Sequence, residues 1–222
     1  MTDLTLVIGN KNYSSWSLRP WLLLRQFGIA FNEIRITLRT SQFPEEVRHW
    51  SAAGKVPVLA AGELRVWDSL AICEYINEHY LAGSGWPQDS VSRALARAIS
   101  AEMHSGFLAL RTDMPMNCRR SVQGFQASSA VQQDIDRIVD IWNQCRERYG
   151  EDGPWLFGEF SIADAMFAPV AVRFQGYGIE LPAVAAEYQQ QILSLPAMQE
   201  WLEAAIQEQE VIAAEEVPDR DV

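Results

Sequence analysis

The sequence predicts two domains of different kind, an α/β domain of about 80 residues followed by an all-α bundle, and three observations carry that expectation. Short apolar runs bounded by turn residues alternate with helix-like segments as far as Tyr80. The breaker cluster Ala82-Gly83-Ser84-Gly85-Trp86-Pro87 then interrupts the chain. From Asp89 onward apolar residues recur at helical spacing, with no strand pattern of similar quality. The division is therefore placed at residues 1–81, a linker at 82–87 and a helical domain over 88–222.

Leu4 to Ile8 form an apolar run closed by Gly9 and Asn10, which reads as a buried strand ending in a turn. Lys11 to Ser17 is loop chemistry. Ser17 is the expected cap of the helix that follows, Pro20 suits its first turn, and Trp21 to Phe27 is apolar on nearly every side before Gly28 stops it. Residues 31–38 alternate with period two from Ile34 and read as a second strand. Strand, helix, strand implies a parallel, right-handed crossover. A short helix is expected around Pro44 to Trp50. Pro57 stands at the entrance of a β-like run, where its missing N–H takes nothing from a ladder. Val58 to Ala61 and Leu64 to Trp67 make a hairpin, and Asp68-Ser69 opens a helix to about Tyr80. The order β-α-β-α-β-β-α is that of a thioredoxin-like domain.

In the second half, Leu95, Ile99, Met103, Phe107, Leu110 and Met114 mark one face of a single long helix. Val131, Ile135, Ile138, Trp142, Cys145 and Tyr149 mark another. Two further helices are expected near Ile162 to Gln175 and Met198 to Gln209, the first opened by a capping box in which Ser161 caps and Asp164 reaches back. The polar stretch Glu215 to Val222, interrupted by Pro218, is expected to lie loosely on the surface.

Charge separates the halves as well. Residues 1–82 carry eight basic and eight acidic side chains, whereas 83–222 carry ten and twenty-one, which makes up the net charge of −11. An acidic chain without a basic stripe repels a phosphate backbone, so nucleic acid is not an expected partner. The neutral first part can still hold a small anion through local donors. No run approaches the length of a membrane span, and Met1 to Leu6 has neither the basic nor the apolar part of a secretory signal, so a soluble, cytosolic protein is expected. Cys73, Cys118 and Cys145 are odd in number, widely spaced and form no CxxC pair, which argues against a disulfide framework or a zinc site.

Three constellations carry chemistry. Ser14, Ser15 and Ser17 cluster around a helix start, where the helix dipole and unpaired N–H groups favour negative charge, although a serine-rich N-cap turn has the same composition. A cis peptide at Val56-Pro57 would leave the Val56 N–H and C=O free to pair with a peptide-like ligand; the bland reading is a strand-entry proline. Asp68 can accept from an ammonium group while Ser69 offers a hydroxyl and a helix-terminal N–H to a carboxylate, together matching an amino acid; capping alone also explains them. All three fall at ends of elements that this topology places along one edge.

With these residues in view, the N-terminal domain resembles that of cytosolic glutathione transferases. Ser14-Ser15-Trp16-Ser17 with Arg19 resembles the Ser-Ser-Cys turn of the zeta, maleylacetoacetate isomerase class, and Gly158 to Asp164 resembles the family's helix-start motif in the second domain. The resemblance implies Ser14 as the hydroxyl that stabilises the glutathione thiolate, with Ser15 and Ser17 as near alternatives. It implies Val56, before a cis Pro57, as the backbone clamp, with Lys55 beside it, and Asp68 with Ser69 as the γ-glutamyl site. Arg111 falls near a glutathione-contacting position of the long helix, although a solvated arginine there reads equally well. Trp16 replaces the zeta-class cysteine and places a large aromatic beside the thiol. Trp16, His104 and Arg173 are the candidates for the second-substrate pocket, with a packed histidine and an exposed or salt-bridged arginine as the plainer readings. His49 and His79 join no constellation. Glutathione is thus expected as co-substrate with a small electrophile and no metal, in a homodimer. The alternatives are a glutathione-dependent cis–trans isomerase of maleylacetoacetate type and a non-catalytic, transferase-like binding module.

Overall fold

In a computed structural model of the chain, residues 4–219 are described. The apolar run Leu4–Ile8 forms β1 and Asn32–Arg35 forms β2, paired in parallel with Val7 opposite Ile34. The second strand is shorter than its alternation implies. Ile36 still donates to the Ile8 carbonyl at 2.9 Å, but the Leu38 N–H turns to the side chain of Asn10 at 2.8 Å, which draws the chain out of the sheet. Val58–Ala61 (β3) runs antiparallel to β1, and Leu64–Val66 (β4) antiparallel to β3, giving the order β2-β1-β3-β4. Gly62, at φ 58°, makes the tight turn of that hairpin, a conformation other residues rarely adopt.

The crossover helix α1 spans Ser15–Gln26 and is buried from Leu18 to Leu24. Each of Leu18, Trp21, Leu22 and Leu23 is fully removed from water, which stabilises the fold by about 1.5–3 kcal/mol per side chain. The helix starts earlier than its composition implies. Ser14, not Ser17, stands at the N-cap, because the Ser17 and Leu18 N–H groups already bond the Ser14 carbonyl at 3.1 Å. Pro20 therefore lies inside the helix rather than in its entry turn. Phe43–Arg48 (α2) follows β2, and Ser69–Tyr80 (α3) returns after β4.

The second half is helical throughout its named elements. Ser90–Ser105 (α4) and Leu108–Asp113 (α5) replace the expected single long helix. Phe107 adopts a left-handed conformation at φ 61°, and a side chain at Gly106 would meet the Glu102 carbonyl at 2.9 Å, so the chain breaks there. Ser129–Tyr149 (α6) is capped by Ser128, and Ile162–Gly176 (α7) is buried from end to end as far as Phe174. Ala183–Leu193 (α8) has no counterpart in the sequence expectation, since Gln189 to Gln191 obscure its buried stripe of Ala185, Tyr188 and Ile192. Pro196–Gln207 (α9) begins with its proline at the first turn, two residues before Met198.

The core centres on α7, which packs against α1, α4 and α8. Trp142 meets Phe167, Phe174 and Tyr188 at 4.9–6.2 Å between ring centres. Asp164 is fully buried yet accepts from the Ser161 N–H (2.8 Å), the Ser161 hydroxyl (3.0 Å), the Leu156 N–H (3.1 Å) and the Tyr188 hydroxyl (2.9 Å). The capping box thus forms as the spacing requires and also ties α8 to the start of α7. No helix among the described residues is long and apolar enough to cross a membrane.

Candidate active site

The turn between β1 and α1 opens onto a cleft of about 630 Å³. Its walls come from the start of α1 (Tyr13 to Trp16), the segment after β2, Gly54 to Val56, Arg111 on α5 with Pro115 and Met116, Arg173 on α7, and Ile212 and Glu215 beyond α9. Of the residues singled out from sequence, Ser14, Ser15, Trp16, Lys55, Val56, Arg111 and Arg173 meet around it. Ser17, Pro57, Asp68, Ser69 and His104 stand outside its lining.

Ser14 and Ser15 are 5% and 6% exposed, at the N-cap and first residue of α1. The Ser14 hydroxyl donates to Ser17 Oγ at 2.7 Å, and Ser17 Oγ accepts from the Gly9 N–H at 3.1 Å. Ser17 is completely buried beneath the turn, which corrects its place as a thiol-facing alternative: it holds the turn on the end of β1. Ser15 Oγ accepts from Arg173 Nη2 at 3.3 Å.

Trp16, half-buried, is the centre of a cationic cluster. The guanidinium of Arg19 lies 4.4 Å from its ring centre, that of Arg111 4.7 Å, and His104 meets it edge-on at 5.3 Å. Arg19 is 1% exposed; its Nε donates to the Met166 carbonyl at 3.2 Å and its Nη1 has no partner. Arg111 donates to the Gly106 carbonyl at 3.0 Å and to that of Met103, closing the end of α4. Its role as a solvated helix-face residue is therefore corrected. Arg173 is buried, not exposed or salt-bridged, and donates to the carbonyls of Met114 (2.7 Å) and Pro169 (3.2 Å). Among the described residues none of the three meets a carboxylate within ion-pair distance. Burial, reinforced by their mutual repulsion, lowers the pKa of Arg19 well below normal and that of Arg173 to about 10; burial also lowers that of Arg111. Arg173, at about 10, stays cationic at neutral pH.

The Val56-Pro57 peptide is cis. Pairing of β3 with β1 begins at Val58, so the backbone of Val56 lies beyond the end of the ladder at the edge of the cleft. Asp68 caps α3 through the Leu70 N–H at 3.2 Å, and its other oxygen pairs with His104 Nε2 at 2.9 Å. His104 is thus turned toward Asp68 and the edge of Trp16, outside the lining of the cleft. Ser69 is fully buried, with a hydroxyl that has no partner. A buried unpaired hydroxyl is costly in a folded protein, and this one belongs to the first residue of α3, directly after the Asp68 cap.

Several cleft residues went unread in the sequence. Tyr13 also lines the cleft, but its hydroxyl donates to Glu216 and accepts from Arg119 Nη2 at 2.9 Å and the Ile212 N–H at 3.3 Å. Burial and then Glu216 raise its pKa, so it stays neutral and occupied. The segment after α9 is correspondingly not loose. Glu208 accepts from the Lys11 and Asn12 N–H groups at 2.8 and 3.0 Å, Arg35 pairs with Glu208 and Glu210, and Asp219 pairs with Arg120. Residues 220–222 of the expected tail lie outside the described residues. The five acidic residues Glu208, Glu210, Glu215, Glu216 and Asp219 were the available signal, but acidic tails usually signify solvation.

The glutathione S-transferase N-terminal domain model matches residues 13–79, and the C-terminal domain model of the same family matches residues 125–204. The chain is 27% identical over 171 residues to the maleylacetoacetate isomerase of Rattus norvegicus, covering 75% of this chain and 76% of that one. Among solved structures, a Burkholderia glutathione transferase homolog with bound glutathione superposes with a TM-score of 0.70 at 23% identity, over 91% of this chain and 97% of the other. A theta class glutathione S-transferase from Xanthomonas axonopodis pv. citri, also with glutathione bound, gives 0.68 at 21% identity over 93% and 100%. Both superpositions extend over the four-stranded sheet and the helical domain of this chain. The chain therefore belongs to the glutathione S-transferase family of enzymes and is zeta-like, of the kind that includes the maleylacetoacetate isomerases.

Proposed function

We propose that this enzyme binds glutathione in the cleft before α1 and joins it through its thiol sulfur to a small electrophile, with a serine hydroxyl of the Ser14-Ser15 pair stabilising the thiolate. The observation that carries this reading is the pairing of two cleft-lining hydroxyls at a helix N-terminus with three arginines, Arg19 and Arg173 buried and Arg111 partly so, that meet no carboxylate within ion-pair distance. A free thiol has a pKa of about 8.5 and is mostly protonated at neutral pH. Hydrogen bonding and positive potential favour its charged form; each unit of lowering is about 1.4 kcal/mol in favour of the thiolate. The thiol proton leaves to water. The thiolate then forms a sulfur–carbon bond as the electrophile's leaving group departs with its electron pair.

The Val56 backbone, beyond the end of the β3 ladder, supplies a strand-like clamp for the cysteinyl part of glutathione, with Lys55 beside it. Asp68 and Ser69 take the γ-glutamyl ammonium and carboxylate, which requires the ammonium to share Asp68 with His104. Bound glutathione in the Burkholderia and Xanthomonas proteins supports the choice of co-substrate. The reading includes a cytosolic homodimer, for which the exposed Leu64, Trp67, Val91 and Leu108 offer apolar surface. Calorimetric titration of glutathione tests it: the wild type binds, Asp68→Ala weakens binding about tenfold, and an activated aryl halide is conjugated. Absence of glutathione binding would leave a transferase-like binding module in place of an enzyme.

The same arginines favour one second reading, glutathione-dependent isomerisation of an unsaturated dicarboxylate. Arg111 and Arg173 would hold a carboxylate while the thiolate adds to the double bond, rotation follows, and elimination returns the thiolate. Turnover that leaves total glutathione unchanged separates this reaction from conjugation.

A further inference from the structure

We infer that His104, on the helical domain, is a positioning residue for the γ-glutamyl site, and that its protonation weakens the hold of Asp68 on the glutathione ammonium. The inference rests on the transferase reading, which gives that ammonium to Asp68, and adds to it the group that controls the carboxylate.

The two residues meet across the domains. Asp68 caps α3 and its side chain is 54% exposed, whereas His104 stands one residue before the end of α4 and is 24% exposed. One Asp68 oxygen accepts from the Leu70 N–H at 3.2 Å and the other meets His104 Nε2 at 2.9 Å. An ionised carboxylate only accepts, so Nε2 carries the hydrogen of this contact. Each carboxylate oxygen has a second lone pair, and the exposed side of the group is left for an ammonium. The imidazole is held in that direction. Its ring meets Trp16 edge-on at 5.3 Å and Nδ1 is buried without a partner, so Nε2 makes its polar contact among the described residues.

Charge decides what this contact does. A neutral imidazole orients the Asp68 carboxylate through Nε2–H and leaves its negative charge for the ligand. An imidazolium turns the same contact into an ion pair, which cancels that charge and sets a second cation against the incoming ammonium. Histidine is the side chain that ordinarily changes charge between about pH 5 and 8. The charged groups nearest to it are Asp68 before α3, and Arg19 on α1 and Arg111 on α5, which lie 4.4 and 4.7 Å from the centre of the Trp16 ring. Cys73 on α3 acts on Arg19, and burial keeps its thiol protonated. The helix α7, packed on α4, carries Asp164, closed in its capping box, and Arg173, held on carbonyls. On α4 itself, Glu102 is taken by Arg137. Among the described residues, His104 alone lies within ion-pair distance of Asp68. Binding of the ammonium therefore favours the neutral imidazole and releases a proton, so affinity falls as pH falls through the titration of His104, by at most about tenfold per pH unit.

The test is calorimetric titration of S-methylglutathione, which keeps the γ-glutamyl group but has no thiol to ionise, between about pH 5.5 and 8 in the wild type, His104→Gln and Asp68→Asn. In the wild type, affinity is expected to fall about fivefold toward the acid end, with a fraction of a proton released there when buffers of different ionisation heat are compared. His104→Gln keeps a side-chain N–H for Asp68 but has no titrating ring, so it should match the wild type at the alkaline end and stay level toward acid. Asp68→Asn is expected to bind about tenfold more weakly at the alkaline end and to release no proton. A pH dependence that persists undiminished in His104→Gln, or a wild type that binds without releasing a proton at the acid end, overturns the inference and leaves His104 a packed histidine. If His104→Gln does not fold, the proton released by the wild type and lost in Asp68→Asn still decides. Failure of S-methylglutathione and glutathione alike to bind at any pH overturns the transferase reading as well, an outcome distinct from binding that ignores pH.

Discussion

The floor of the cleft and its C-terminal rim are both built with arginines, and they use them in opposite ways. In the floor, Arg111 and Arg173 line the cleft and Arg19 lies against the Trp16 ring; all three donate to backbone carbonyls and meet no carboxylate within ion-pair distance. In the rim, Arg35 meets the carboxylates of Glu208 and Glu210, and Arg39 that of Glu215, so each charge is balanced within the protein. The difference lies in the partner, not the residue. A carbonyl fixes a guanidinium without neutralising it and leaves its field for a ligand, whereas a carboxylate consumes that field in holding two segments together.

The comparison breaks first at α7, which carries Arg173 into the floor. Asp164→Ala strands four buried donors and loosens the start of that helix, with an expected loss of about 3 kcal/mol and a melting temperature lower by roughly 6–12 °C. Thermal denaturation checks this. Within the floor, Arg19→Met removes a buried cation with an unpaired Nη1, so stability is expected to change by less than about 1 kcal/mol or to rise, while affinity for the glutathione thiolate falls. Denaturant unfolding alongside calorimetry reads both; a large loss of stability would show that the floor arginines serve the fold alone.

In the rim, Arg35→Ala deletes partly exposed pairs worth about 1 kcal/mol or less, so the fold should hold while the segment after α9 becomes a protease target. Moderate salt should reproduce part of that effect in the wild type, since such pairs are screened. The smallest effect concerns acid. The hydrogen bond from Arg35 holds the Glu210 carboxyl at about 2, below its ordinary value of 4.5, so it binds a proton more weakly in the closed rim than in a released one. Its contribution is complete above the ordinary value and is lost as pH falls from there through about 2. Proteolysis by an acid protease across that range should show release of the segment only toward the lower end.

The same contrast explains what could be read without coordinates. β1, the hairpin and the capping box at Ser161 and Asp164 depend on neighbours in sequence, and their patterns are strong. The serine turn and Val56 were legible for the same reason. The break between α4 and α5 was not, because the helical stripe continues through Gly106 and Phe107 and only the backbone departs from it. Nor was the bond from Arg173 to Ser15, 158 residues away, or the tie from Glu208 to Lys11, 197 residues away. Arg19 lay inside the recognised turn, yet nothing local says whether an arginine on a helix faces water or an indole.

The most direct test of a floor that keeps its charge for a ligand is the thiolate absorbance of glutathione bound to the wild-type enzyme, followed against pH at low and moderate salt. The expected thiol pKa lies at least one unit below the free value of about 8.5 and moves little with salt, because buried charges are poorly screened. An unshifted pKa, or a shift abolished by salt, would contradict the account and leave the three arginines as structural cations alone.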